Sequence, residues 1–243
     1  MKAILLLTSV LVATVGWSDP GSAAGAETRV IRLTDGVHTQ PIDIVGDGTT
    51  RVTIVGNTKN PEKVVVDVKG APAIRVRKAI VTVSGIELRT TEFFAQLLAE
   101  DDGVIEFSNV RFSFGGHQVA ARERGRIRAT GNYSIVVGGQ THLHASRGGL
   151  IELASNIVVT LDNAVYLAFF AGSSMYGAIN IEPGVSFAGI ASTTKFHVQT
   201  HGRIDSGGLG IAGLPGGQPG VIETGGEYDR LRKFPSGNAK TGP

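Results

Sequence analysis

The sequence predicts an all-β chain folded as a right-handed parallel β-helix, with three short strands in each turn. Three observations predict it. The chain is rich in glycine, 34 of 243 residues, and poor in aromatics at 6%, a composition of many short strands joined by tight turns. A four-residue unit, Gly-x-Ile-x, recurs at a period of about two dozen residues. Two further alternating apolar pairs accompany each copy, which gives three faces per turn.

The copies are Gly103-Val104-Ile105-Glu106, Gly125-Arg126-Ile127-Arg128, Gly149-Leu150-Ile151-Glu152, Gly177-Ala178-Ile179-Asn180 and Gly202-Arg203-Ile204-Asp205. Their glycines are 22, 24, 28 and 25 residues apart. Ala79-Ile80-Val81-Thr82 is a degenerate earlier copy. A second pair follows each copy: Ile86/Leu88, Val110/Phe112, Tyr133/Ile135, Ile157/Val159 and Val185/Phe187. A third pair precedes each glycine: Ile74/Val76, Leu97/Ala99, Val119/Ala121, Leu143/Ala145, Leu167/Phe169 and Phe196/Val198. Period-2 alternation sends one side chain of each pair inward and its neighbour outward. One turn buries little apolar surface, but stacked turns bury a continuous core at a spacing of about 4.8 Å. The glycines are expected at the sharp bends between faces, often at positive φ. Right-handedness is the hand of parallel crossover connections.

The termini read differently. Lys2, then an uncharged apolar run from Ala3 to Val15, then Gly16, Asp19 and Pro20, have the form of a signal peptide. Ala24-Gly25-Ala26 places cleavage before Glu27. The expected layout is a signal peptide over 1–26, a β-helix with its N-terminal cap strands over 27–206, and a Gly/Pro-rich cap or tail over 207–243. Within 27–68 the stretches Arg29 to Leu33, Ile42 to Val45, Arg51 to Val55 and Val64 to Val68 read as strands. The expected location is secreted, periplasmic or extracellular, with no membrane span after cleavage.

Composition narrows the function. A formal net charge of +2, with no basic cluster, argues against nucleic acid. The absence of cysteine excludes a thiol nucleophile and thiolate metal sites. No Walker, HExxH or GxSxG motif is present. The candidate catalytic residues are the carboxylates Asp101 and Asp102, beside Glu100, and Glu106 and Glu152, two rungs apart. Paired carboxylates serve as acid and base or hold Ca²⁺. The competing expectation is structural: Asp101-Asp102 as a solvated turn, and Glu106, Arg128, Glu152, Asn180 and Asp205 as one outward ladder with Arg128 pairing its neighbours. His142 and His144 flank an inward Leu143 and are expected outside; His117, His197 and His201 are read as unrelated to them. No cofactor is expected, Ca²⁺ entering only with lyase chemistry.

The ladder from Ile74 to Ile204 resembles right-handed parallel β-helix proteins of the pectate-lyase-like superfamily, whose enzymes act on polysaccharides. Asp101-Asp102 is similar to the paired aspartates of polygalacturonase-like members, and Arg126-Ile127-Arg128 to their Arg-Ile-Lys; their Asn-Thr-Asp and Gly-His-Gly elements are not present. The stretch Gly202 to Gly208, with Leu214-Pro215-Gly216 and Gly225-Gly226-Glu227-Tyr228, resembles the Gly-rich ends of phage and prophage β-helix proteins. The resemblance implies a secreted β-helix that binds polysaccharide or cell-surface glycan. The alternatives are a polysaccharide lyase or glycoside hydrolase using the outward carboxylates, and a phage-like or surface-fibre module assembled as a homotrimer.

Overall fold

A computed structural model describes residues 28–91 and 93–229 of the chain. The expected signal peptide and its cleavage site, and the last part of the expected tail, lie outside the described residues. The described chain is a parallel β-solenoid of about eight turns, 58% strand and 3% helix.

Three strips of parallel strands run along the solenoid axis. The first face stacks Thr28–Arg32, Arg51–Val55, residues 80–84 and 104–107, Arg126–Ala129, Leu150–Leu153, Ala178–Ile181, Arg203–Asp205 and Glu227–Tyr228. The second face begins with Gly36–His38 and Val64–Val68 and continues through Tyr133–Ile135 to the first part of Ser186–Val198. The third runs from Ile42–Val45 through Ile74–Arg77, Leu97–Glu100, Gly115–Ala121 and Gly139–Ala145 to Val221–Ile222. The Gly/Pro-rich segment after Ser206 therefore continues the ladder on two faces before the described chain ends. Among the early strands, Gly36–His38 is one that alternation did not reveal, because it is short and largely exposed.

The repeat sets the core. Val81, Ile105, Ile127, Ile151, Ile179 and Ile204 stand in successive register and are fully buried. The second and third pairs also point inward, with one exception. The expected pair Leu167/Phe169 is not the buried one: Leu167 is 76% exposed, while Tyr166, Phe170 and Ala171 lie in the core. Val165 pairs with Ser192 and Phe169 with Thr194, so the strand Val158–Ser173 carries two extra residues at this corner. A bulge of that kind breaks the alternation and swings Leu167 outward.

The repeat glycines act differently from the expectation. None of Gly103, Gly125, Gly149, Gly177 and Gly202 has positive φ. The two residues before each one do: Asp101/Asp102 at 48° and 60°, Glu123/Arg124 at 51° and 63°, Thr200/His201 at 48° and 61°. With Gly103 N–H donating to Glu100 O at 2.9 Å, and Gly125 N–H to Arg122 O at 2.8 Å, these are tight turns with both central residues left-handed. The glycine that follows is required by crowding. A Cβ at 103 would sit 2.1 Å from Val76 O, and one at 125 would sit 2.1 Å from Ala99 O, on the preceding coil.

Candidate functional site

Of the carboxylates singled out in the sequence, Asp102 and the neighbouring Glu100 are brought into ion pairs. Asp101 and Asp102 are the central residues of a tight turn, and not part of an extended segment. Asp102 accepts two hydrogen bonds from Arg124, each 2.9 Å, and Arg124 occupies the same place in the next turn. That guanidinium holds the Asp102 carboxyl below its usual range, which favours the ionised form and suits a general acid poorly. The next turn repeats the device, with Arg147 3.0 Å from Glu123. Glu100 is buried and lies 2.7 Å from the Arg122 guanidinium.

Glu106, Arg128, Glu152, Asn180 and Asp205 do form one outward column, in register from coil to coil. Arg128, however, makes its ion pair with Glu182, at 3.2 Å, on the neighbouring bend. A long guanidinium side chain reaches sideways to a carboxylate that is already oriented, since Glu182 also accepts the Ser155 N–H at 3.0 Å.

The histidines give the largest departure from the sequence reading. His142 is not on the outer face; it is fully buried, as is Leu143 beside it. The chain bends at this corner in three successive coils, so two consecutive side chains enter the core: Gln96 with Leu97, Gln118 with Val119, His142 with Leu143. The first members form a polar column inside the solenoid. Gln118 Nε2 donates to Ser113 O and Val137 O, at 3.0 and 2.7 Å. This fixes its Oε1 as acceptor for His142 Nδ1 at 2.8 Å and for the Tyr166 hydroxyl at 2.7 Å. His142 Nδ1 must then carry the proton, and Nε2 accepts from the Tyr133 hydroxyl at 2.9 Å. Burial without a countercharge drives the His142 pKa down to about 3 and keeps both tyrosines un-ionised.

Outside the same strands lies a strip of rings. His117 and His144 stack with centroids 4.5 Å apart and planes 20° apart. His117 Nδ1 is 2.6 Å from Thr141 Oγ1. Burial lowers the His144 pKa to about 4, assisted by His117 and Arg122, and burial also lowers that of His117. One coil on, Phe169 packs over Gly172, which pairs with His144 in the strand register; a Cβ at 172 would lie 2.1 Å from the Phe169 ring. His197 pairs with Gly172 from the following coil, its ring 5.5 Å from that of Phe169. His197 Nε2 is 3.0 Å from Glu223 Oε1, though poorly aligned for a hydrogen bond. The sequence holds this strip only as scattered letters, because its members are 27, 25 and 28 residues apart and meet through coil stacking. Alternation alone points Phe169 inward, and the bulge between Val165 and Phe169 turns it out.

Among the described residues, no three His, Asp or Glu side chains are arranged to hold a metal ion, and no helix is long and apolar enough to cross a membrane.

The class of protein defined by these features is a three-sided parallel β-solenoid with an aromatic and histidine strip along one outer face. No family model matches the chain, and no curated protein or solved structure matches it.

Proposed function

We propose that this is an exported glycan-binding protein, whose ligand is a linear polysaccharide lying along the outer face of the third strip of strands. The observation that carries the reading is the row of partly exposed rings His117, His144, Phe169 and His197. His117 and His144 cover each other's faces and present their ring edges, and Phe169, packed over Gly172, adds apolar area for the C–H face of a sugar at small entropic cost. The coils repeat at about 4.8 Å, close to the repeat of a pyranose chain, so successive sugars meet successive coils. Thr194, in register with Phe169, and the exposed guanidinium of Arg122 border the row and supply a hydroxyl and a charge that orient a ligand. The expected signal sequence supports export, and the reading extends the resemblance to the polysaccharide-directed pectate-lyase-like superfamily.

A glycan array probed with the purified protein, with the bound glycans then analysed by mass spectrometry, tests this. Binding to one class of linear glycan is expected, weakened about tenfold or more in Phe169→Ala, a loss of about 1.4 kcal/mol. Binding that survives both Phe169→Ala and His144→Ala refutes the location. Shortened products, lost on changing Glu106 or Asp102, would move the protein to the lyase or hydrolase class.

A further inference from the structure

We propose that the corner between the second and third faces is a surface on which a second copy of this chain docks, antiparallel, about a twofold axis near Val137. Five successive coils each place an apolar side chain outward there: Phe93, Phe114, Val137, then Val165 with Leu167, then Ile190. The coils are adjacent in this order. Gly116 N–H donates to Phe94 O, Gln118 Nε2 to Val137 O, a Cβ at 138 would meet Val165 O, and Val165 pairs with Ser192. The row is about 19 Å long at the coil spacing.

Three features select a second copy as the occupant. The six side chains are 43–77% exposed and present on the order of 600 Å² of apolar surface, close to what one partner contributes to a stable interface of about 800 Å² per side. The corner carries no net charge: none of the described residues at 93–95, 113–116, 136–139, 163–168 or 189–194 is ionisable except Tyr166, which is buried, and the cleft at its end adds one acid, Asp67, and one base, Lys69. A neutral surface meets its own copy without like-charge repulsion. The shape is also self-complementary. At one end a shallow cleft of about 400 Å³ is lined by Phe93 and Phe114 with Asp67, Lys69, Thr90 and Thr91. At the other, Leu167 and Ile190 project. A twofold axis at Val137, the middle coil of the five, carries Leu167 of one copy to Phe114 of the other and Ile190 to Phe93, which is the isologous pairing a closed dimer requires.

Absence of cysteine makes the test clean. Sedimentation of the purified chain at micromolar concentration should give a dimer. Leu167→Asp and Ile190→Asp, both at exposed positions, should give monomers with unchanged circular dichroism. Val137→Cys should cross-link to dimer under mild oxidation, and Phe93→Cys, far from its own mate, should not. A monomeric wild type, a trimer, a dimer untouched by both substitutions, or efficient Phe93→Cys cross-linking each overturns the proposal. A monomer that sediments with lipid vesicles through Leu167 overturns it in favour of a membrane surface.

Discussion

Acid should destabilise this solenoid through its middle coils, and His142 is the main reason. His142 has a pKa near 3 when folded and 6.5 when exposed. The unfolded chain therefore binds a proton that the folded chain refuses. The contribution to stability is complete above pH 6.5 and is lost as the pH falls from 6.5 towards 3, at about 1.4 kcal/mol per pH unit. At pH 5 the loss is about 2 kcal/mol for His142, and a similar loss is expected for His144, whose folded pKa is near 4. His117 adds in the same direction. The perturbation is His142→Asn, which keeps a donor for Gln118 Oε1 but has no proton to gain. At pH 8 it should cost about 1–3 kcal/mol, because the buried Tyr133 hydroxyl loses its partner. Urea unfolding of both proteins from pH 8 to pH 4.5 is the assay. The wild-type stability should fall more steeply below pH 6.5, with a difference in slope of about 1.4 kcal/mol per unit, so the two curves converge in acid. Parallel curves would refute the argument, since His142 would then take up its proton equally in both states.

Ile127→Ala or Ile151→Ala should lose about 2–5 kcal/mol in denaturant unfolding, as both are fully buried in the central ladder. Gly125→Ala should cost more than about 1 kcal/mol, or block folding, because the new Cβ meets Ala99 O; an unchanged melting temperature would contradict the crowding argument. Glu87→Ala should cost about 1–3 kcal/mol, less at high salt, because its buried carboxylate lies 2.7 Å from Arg89 and 3.2 Å from Arg111. Glu106→Gln should change stability by under about 0.5 kcal/mol, since Glu106 has no ion pair with the Arg128 beside it, whose partner is Glu182.

The faces of the solenoid were legible because alternation is a direct record of which side of a strand a residue takes. Ile105, Ile127 and Ile151 could be placed inward, and the strands at 42–45, 51–55 and 64–68 bounded, from that signal alone. It fails where the chain bends. At the corner that holds Gln96, Gln118 and His142, two neighbours point the same way, so counting by twos sent His142 outside. At 166–168 the bulge shifts the count, and Leu167 and Phe169 were sent inside. The turn geometry was hidden for another reason. Asp101-Asp102 and Glu123-Arg124 take left-handed φ without being glycine, and what holds them is the coil above and the ion pairs between turns. The ring strip is a property of stacking: His144 meets His117 only because coils of unequal length still align their third strands.

The reading of the outer face as a glycan track rests on ring spacing, and one measurement tests that most directly. Calorimetric titration with a length series of the bound oligosaccharide should show affinity rising with each added sugar up to about four, the number of rings from His117 to His197, and level beyond. Phe169→Ala should flatten the rise at the third sugar. An affinity already complete with a single sugar, or one that never responds to length, would contradict a track along the coils.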